Sequence, residues 1–194
     1  MFQSTCTTRV MDTKCGEPAA PAPPATVRVR CATRDDMTQI LEMIQELAEF
    51  EGVPSGPELT VNDLIRDGFE TSPAWFFVLV AECVESGQLV GQALCNRAYS
   101  SWTCRAYYVE DLYVRPSERR RGVGMQLIRE LCQMAVSERV SRIDWHVLEN
   151  NAPALAFYAR LGARDLRVSE GRAALRLDRH RIQTLAKHQH ETQL

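Results

Sequence analysis

Tyr107 to Val114 alternates in the manner of a half-buried strand and ends in Arg115-Pro116. Three consecutive arginines (119–121), Gly122 and Gly124 follow, and then an amphipathic stretch reaching Glu138. In that stretch Leu127, Ile128, Leu131, Met134 and Ala135 share one helical face, so Gly122 to Glu138 reads as a helix. A strand feeding a helix through a glycine turn points to the α/β class and puts an anion site at the joint. Glycine lets the backbone approach a ligand, and the first helical turn offers unbonded N–H groups at the positive end of a dipole. Arginine adds charge and paired donors. The segment 119–124 spells Arg-x-x-Gly-x-Gly, a pyrophosphate cradle in this setting. A dinucleotide fingerprint asks for three glycines, and Arg120 and Met125 stand where others would be; a P-loop asks for Gly-Lys-Ser/Thr. The plain alternative is an exposed basic helix start.

The rest of the chain supplies the frame. Val27 to Cys31 alternates as a strand. Thr33 caps a helix with Asp35 and Asp36 in its first turn and Ile40, Leu41, Ile44, Leu47 and Ala48 inward, broken by Gly52 to Pro57. Thr60 opens a short helix through Asp67. Trp75 to Cys83 and Leu89 to Arg97 are strands joined at Glu85-Ser-Gly-Gln88, and Arg105 to Val114 is the third long strand. Arg142 to Val147 is a strand, and Asn151 to Leu161 is a helix ended by Gly162. Arg164 to Val168 and Arg172 to Leu177 read as a closing hairpin. The order β-α-α-β-β-β-α-β-α-β-β predicts one mixed α/β sheet.

Composition sets the outer bounds. With 194 residues, 45% of them hydrophobic, the chain can bury one good core. A net charge of −2 gives no basic field for nucleic acid, and no apolar run reaches the ~20 residues that span a bilayer. Seven scattered cysteines without CxxC spacing fit reduced thiols in a cytoplasmic protein rather than a disulfide frame or a zinc site. Residues 1–26 are rich in Thr, Pro and Ala and read as a disordered extension. A mitochondrial presequence there is disfavoured by Asp12, Glu17 and the few arginines. Residues 179–194 read as a polar tail whose histidines are a solvated helix end, so no metal is expected.

The Arg-x-x-Gly-x-Gly loop after the third long strand resembles the coenzyme A signature of the GNAT superfamily of N-acetyltransferases. Within it, residues 27–178 are most similar to the diamine acetyltransferases, which act on spermidine, spermine or thialysine. The matching pieces are Ile44-Gln-Glu-Leu-Ala-Glu-Phe-Glu51, Asp67-Gly-Phe69, Val109-Glu-Asp-Leu-Tyr-Val114, Asn151 and Ala156-Phe-Tyr-Ala-Arg-Leu-Gly-Ala163. The resemblance implies a GNAT fold with splayed central strands and helices on both faces of the sheet. It also implies acetyl-CoA as cosubstrate, a small cationic amine as acceptor, and a homodimer with acceptor sites near its interface.

The resemblance also implies roles for particular residues. Backbone N–H groups around Leu112, Tyr113 and Val114 would polarise the acetyl carbonyl. Arg119, Arg120, Arg121, Gly122, Val123, Gly124 and Met125 would hold the pyrophosphate. Tyr158 would protonate the leaving sulfur, its ~10 reference pKa keeping it protonated; read without the motif it is a core aromatic beside Phe157. Asn151 is a helix cap, a coenzyme contact, or both. Glu110 is either the base, through water, or an attractor of the cation. In a strictly alternating strand its neighbour Asp111 turns to the opposite face. Glu51, Trp102, Glu110, Asp111 and Glu170 match acceptor-side positions, although Glu51 and Glu170 taken singly read equally as solvated loop charge. Three departures bear on the acceptor: Glu49 stands where the polyamine enzyme has lysine, Ser100 where it has an acid, and Arg172 where it has an aromatic. The alternatives are a protein lysine or N-terminal acetyltransferase and a non-catalytic acyl-CoA-binding module.

Overall fold

The computed structural model describes residues 26–171 and 173–187; residues 1–25 of the expected extension and 188–194 of the expected polar tail lie outside them. A first compact unit ends at Trp145 and a second begins at His146.

The first unit is a five-stranded sheet in the order β1-β2-β3-β4-β5: β1 Val27–Cys31, β2 Phe77–Cys83, β3 Leu89–Ser100, β4 Cys104–Val114 and β5 Arg142–Trp145. All neighbours are antiparallel except β4 and β5, which run parallel over Ala106–Val109. α3 (Val123–Ser137) crosses between those two, as a parallel pair requires. α1 (Met37–Phe50) and the short α2 (Val61–Ile65), which runs on into a wide turn over Arg66–Glu70, cover the other face. A 3-10 turn, Arg34–Asp36, precedes α1, so the helix that Thr33 was expected to open starts four residues after it.

Alternation along β2 sorts two cores. Leu79 and Ala81 pack with Leu127 and Leu131 of α3, while Val78 and Val80 pack with Met37, Ile40 and Met43 of α1. Gly91 is needed where β3 passes beneath α3: a Cβ there would lie 2.9 Å from the Tyr113 carbonyl oxygen, which is backbone and cannot move aside. Arg30 of β1 grips Asp36 with two bonds of 2.7 and 2.9 Å, and Arg115, just past β4, bonds Glu46 of α1 and the Leu89 carbonyl. These charge-assisted bonds set α1 against the site end of the sheet.

The second unit holds α4 (Ala152–Arg160), α5 (Leu166–Glu170) and α6 (Arg179–Lys187). The expected closing hairpin is therefore replaced. Asp165 accepts from the Arg167 N–H at the start of α5, and Gly171, at φ +65°, ends it. An acidic cap and a left-handed glycine six residues apart frame one and a half helical turns, and that framing wins over strand propensity at Leu166 and Val168. Residues 173–178 carry no regular structure, and Arg172 lies outside the described residues.

Candidate active site

The site is built around one irregularity in β4. Its register with β3 shifts between Leu94 and Cys95: Leu94 faces Asp111, and Cys95 faces Val109. Glu110 is thus an extra residue, and the strand's parity changes across it. Tyr107 and Val109 pack on the α3 side; beyond the bulge, Leu112 and Val114 do so, while Tyr113 joins the α1 core. Glu110 and Asp111 therefore both open toward α1 and α2. The alternation expected from the sequence, with Asp111 on the opposite face, fails because alternation assumes an unbroken ladder.

The two carboxylates line a groove of about 390 Å³. Ile44, Leu59, Leu64, Phe76 and Leu94 supply its apolar wall, and Asp63 and Asp67 supply two further acids. Arg66 pairs with both of these, at 2.8 and 2.9 Å, and hydrogen bonds from Thr60 hold the Asp63 carboxyl below its usual range. Glu110 and Asp111 have no hydrogen-bond or ion-pair partner among the described residues. Burial, then the charges of Glu110 and Glu51, push the Asp111 carboxyl up to about 6. Glu51 reaches this site from the exposed end of α1. Sequence reasoning missed the acids on α2 and its extension; the visible signal was Asp67-Gly68-Phe69 beside the Thr60–Asp63 capping pair.

Trp102 is not brought to this groove within the chain. It is 81% exposed in the turn between β3 and β4. Glu110 stands six residues past the start of β4, ~20 Å along a strand at ~3.3 Å per residue.

At its other end β4 runs into the glycine loop. Its pairing with β5 stops at Val109, and residues 110–114 continue past it. A 3-10 turn, Pro116–Glu118, leads to the arginines. Arg120 sits at φ +66° and Gly122 at φ +85°, and the space where a Gly122 side chain would stand is empty. Two left-handed residues so close together turn successive N–H groups to one side, an anion-binding concavity. The N–H groups of Val123, Gly124 and Met125 precede the first helical bond, Gln126 N–H to the Gly122 carbonyl, and the first turn of α3 holds no acid. Arg120 is exposed and unpaired among the described residues, and Arg121 holds Glu118 at 3.0 Å.

Arg119 differs from its neighbours. Its Nε donates to the Val114 carbonyl at 2.8 Å, and its guanidinium lies 4.9 Å from the Phe50 ring and 5.5 Å from the Tyr113 ring. The first arginine of the motif thus ties the loop to β4 and to the end of α1.

In the second unit Asn151 caps α4, its Oδ1 accepting from the Ala154 N–H at 3.2 Å. Tyr158 stands edge-on to Phe157 with ring centres 5.4 Å apart, and burial pushes its phenol up to about 12, so it carries its proton at neutral pH. Glu170 ends α5 and lies 3.9 Å from Arg164.

Comparison with known proteins agrees with this geometry. The profile of the Acetyltransferase (GNAT) family matches residues 40–163. The chain is 36% identical over 168 residues to the thialysine N-epsilon-acetyltransferase of Mus musculus, covering 84% of this chain and 98% of that one. It is 34% identical to the spermidine/spermine N(1)-acetyltransferase-like protein 1 of Homo sapiens, over 82% of this chain and 24% of that protein. Among solved structures, a V. cholerae integron cassette protein superposes with a TM-score of 0.67 at 22% identity, covering 83% and 98% of the two chains. A Trypanosoma brucei acetyltransferase does so with a TM-score of 0.62 at 24% identity, covering 79% and 99%.

Proposed function

We infer the reaction from one premise: this chain belongs to the GNAT acetyltransferase family and is an acetyl-CoA-dependent N-acetyltransferase. The acceptor we propose is a small cationic amine of the diamine or thialysine kind. The observation that carries this reading is the groove beside the β4 bulge, where four carboxylates meet an apolar wall and, among the described residues, Asp63 and Asp67 share one arginine while Glu110 and Asp111 have none. Unpaired carboxylates facing a partly dry groove replace the water that a cation loses on entering it. An apolar wall suits the methylenes between two amines.

Acetyl-CoA supplies the thioester. The loop fits its pyrophosphate on the grounds already described: an open left-handed turn, an acid-free helix start and an unpaired arginine. We assign Arg120, Arg121, Gly122, Val123, Gly124 and Met125 to this contact, and Asn151 to shaping α4 by its cap. Backbone N–H groups of Leu112, Tyr113 and Val114, on the part of β4 beyond β5, would polarise the acetyl carbonyl. Tyr158, protonated at neutral pH, would hand its proton to the departing sulfur. A carboxylate of the bulge would receive the ammonium proton. Holding both reactants in place supplies much of the rate. Relatives named for thialysine and for spermidine/spermine support the acceptor class. By the same resemblance we propose a cytoplasmic homodimer, in which Trp102 would meet a groove of the other copy.

A thiol-release assay with acetyl-CoA against thialysine, lysine, spermidine, a short monoamine and a lysine-containing peptide tests this. Turnover of the dications well above the monoamine is expected. Turnover of the peptide alone would replace the small-amine reading with a protein acceptor.

A further inference from the structure

Resting on the reading above, we propose that Asp111, rather than Glu110, takes the proton from the attacking amine, with Glu110 as its charged neighbour at the groove mouth. The bulge makes this division of labour possible. It puts two consecutive carboxylates on one side of the sheet in unlike surroundings. Glu110, the extra residue, is exposed. Asp111 is back in register opposite Leu94 and half-buried.

The charges facing Asp111 from the elements packed around it are of one sign. Glu51 approaches from the end of α1. Asp63 and Asp67 face the groove from α2 and its extension and share the single positive charge of Arg66, which leaves that group net negative. Glu110 is on its own strand, and Cys95 of β3 is a neutral thiol, pushed up to about 12. Among the described residues no arginine or lysine pairs with Asp111, and burial, then the charges of Glu110 and Glu51, make it bind its proton more tightly than an ordinary carboxylate, at about 6. A base gains strength as its pKa rises toward the working pH, and this one is still mostly ionised at pH 7 to 8. Glu110, exposed at the groove mouth, is placed to draw the cation in.

The step balances without further reagents. The ammonium nitrogen gives one proton to an Asp111 oxygen and uses the freed pair to bond the acetyl carbon; the nitrogen of the adduct, still carrying a second excess proton, gives that one to water as the tetrahedral centre collapses. The carbon–sulfur bond breaks, and the sulfur takes the Tyr158 proton. Asp111 and Tyr158 then exchange protons with water.

Two measurements decide. In a carboxyl-carbon NMR titration of the coenzyme-free protein, the resonance lost in Asp111→Asn should titrate near pH 6; a midpoint below about 5 overturns the proposal. In the pH profile of kcat/KM for the best amine, the parent should show an acidic limb near pH 6. Asp111→Asn should abolish that limb and lower kcat at least ~100-fold, leaving only the rise near the amine's own pKa, with CoA affinity within about twofold. Asp111→Glu should restore part of the limb. Glu110→Gln should keep it, moved to lower pH by loss of the adjacent charge, with a higher KM. If the limb survives Asp111→Asn and disappears in Glu110→Gln, Glu110 is the base. A parent enzyme that acetylates no small amine overturns the functional reading, and this proposal with it.

Discussion

Asp111→Asn should make the protein more stable at neutral pH and slightly less stable in acid. The Asp111 carboxyl titrates at about 6 in the folded chain against 3.8 without the fold. The folded state therefore prefers the protonated form, and stability falls as pH rises from about 4 to about 6. The gap of about two pH units, at ~1.4 kcal/mol each, corresponds to about 3 kcal/mol that the parent loses above pH 6. Asparagine keeps the volume and never ionises, but its amide donors meet no partner in the groove, which costs about 1 kcal/mol at every pH. The net gain at pH 7.5 is then about 1–2 kcal/mol, or roughly 2–8 °C in Tm for a chain of this size. Below pH 4 only the amide cost remains, and the order reverses. Calorimetric or fluorescence melts of both proteins between pH 4 and 8 read this directly. Parallel Tm curves that never cross would show that Asp111 is an ordinary carboxylate and would remove the physical basis for its chemistry.

Gly122→Ala should weaken CoA about tenfold by calorimetry with the fold intact. Its Cβ meets nothing within 4 Å, so the whole cost, about 1–2 kcal/mol, is the left-handed backbone at φ +85°. Arg119→Ala should lower Tm, because it removes the tie to the Val114 carbonyl and the two ring contacts, whereas Arg120→Ala should leave Tm unchanged and weaken CoA in a salt-dependent way. Tyr158→Phe should lower kcat by about 100- to 10,000-fold with CoA affinity held; a parent-like rate would return Tyr158 to simple ring packing against Phe157.

Much of the site was legible because its signals are local. The glycine loop, the start of α3 and the Asn151 cap each depend on residues within a turn or two of one another. Backbone sterics and hydrogen bonding act at that range, so the sequence reports them. The succession of β1 to β5 along the chain followed from the same kind of signal, since alternation and helical periodicity are written residue by residue. The closing hairpin misread this local grammar: Asp165 and Gly171 were helix caps in plain view, outweighed by the apparent strand character of Leu166 and Val168.

Whether neighbouring strands stay in step was not legible, because it depends on residues far away in the chain. The sequence alone determined that Glu110 and Asp111 lie side by side on the strand feeding the loop. The pairing of β4 with Leu94 and Cys95 decided that both face one groove. It was likewise the fold that brought Phe50, Tyr113 and the Val114 carbonyl around Arg119, and so tied the loop to β4 and α1. The charge of a side chain is fixed by its chemistry. Its proton affinity and its free donors are set by the neighbours that tertiary packing brings, and those come from α1, α2 and β3, as far upstream as Ile44 and Phe50.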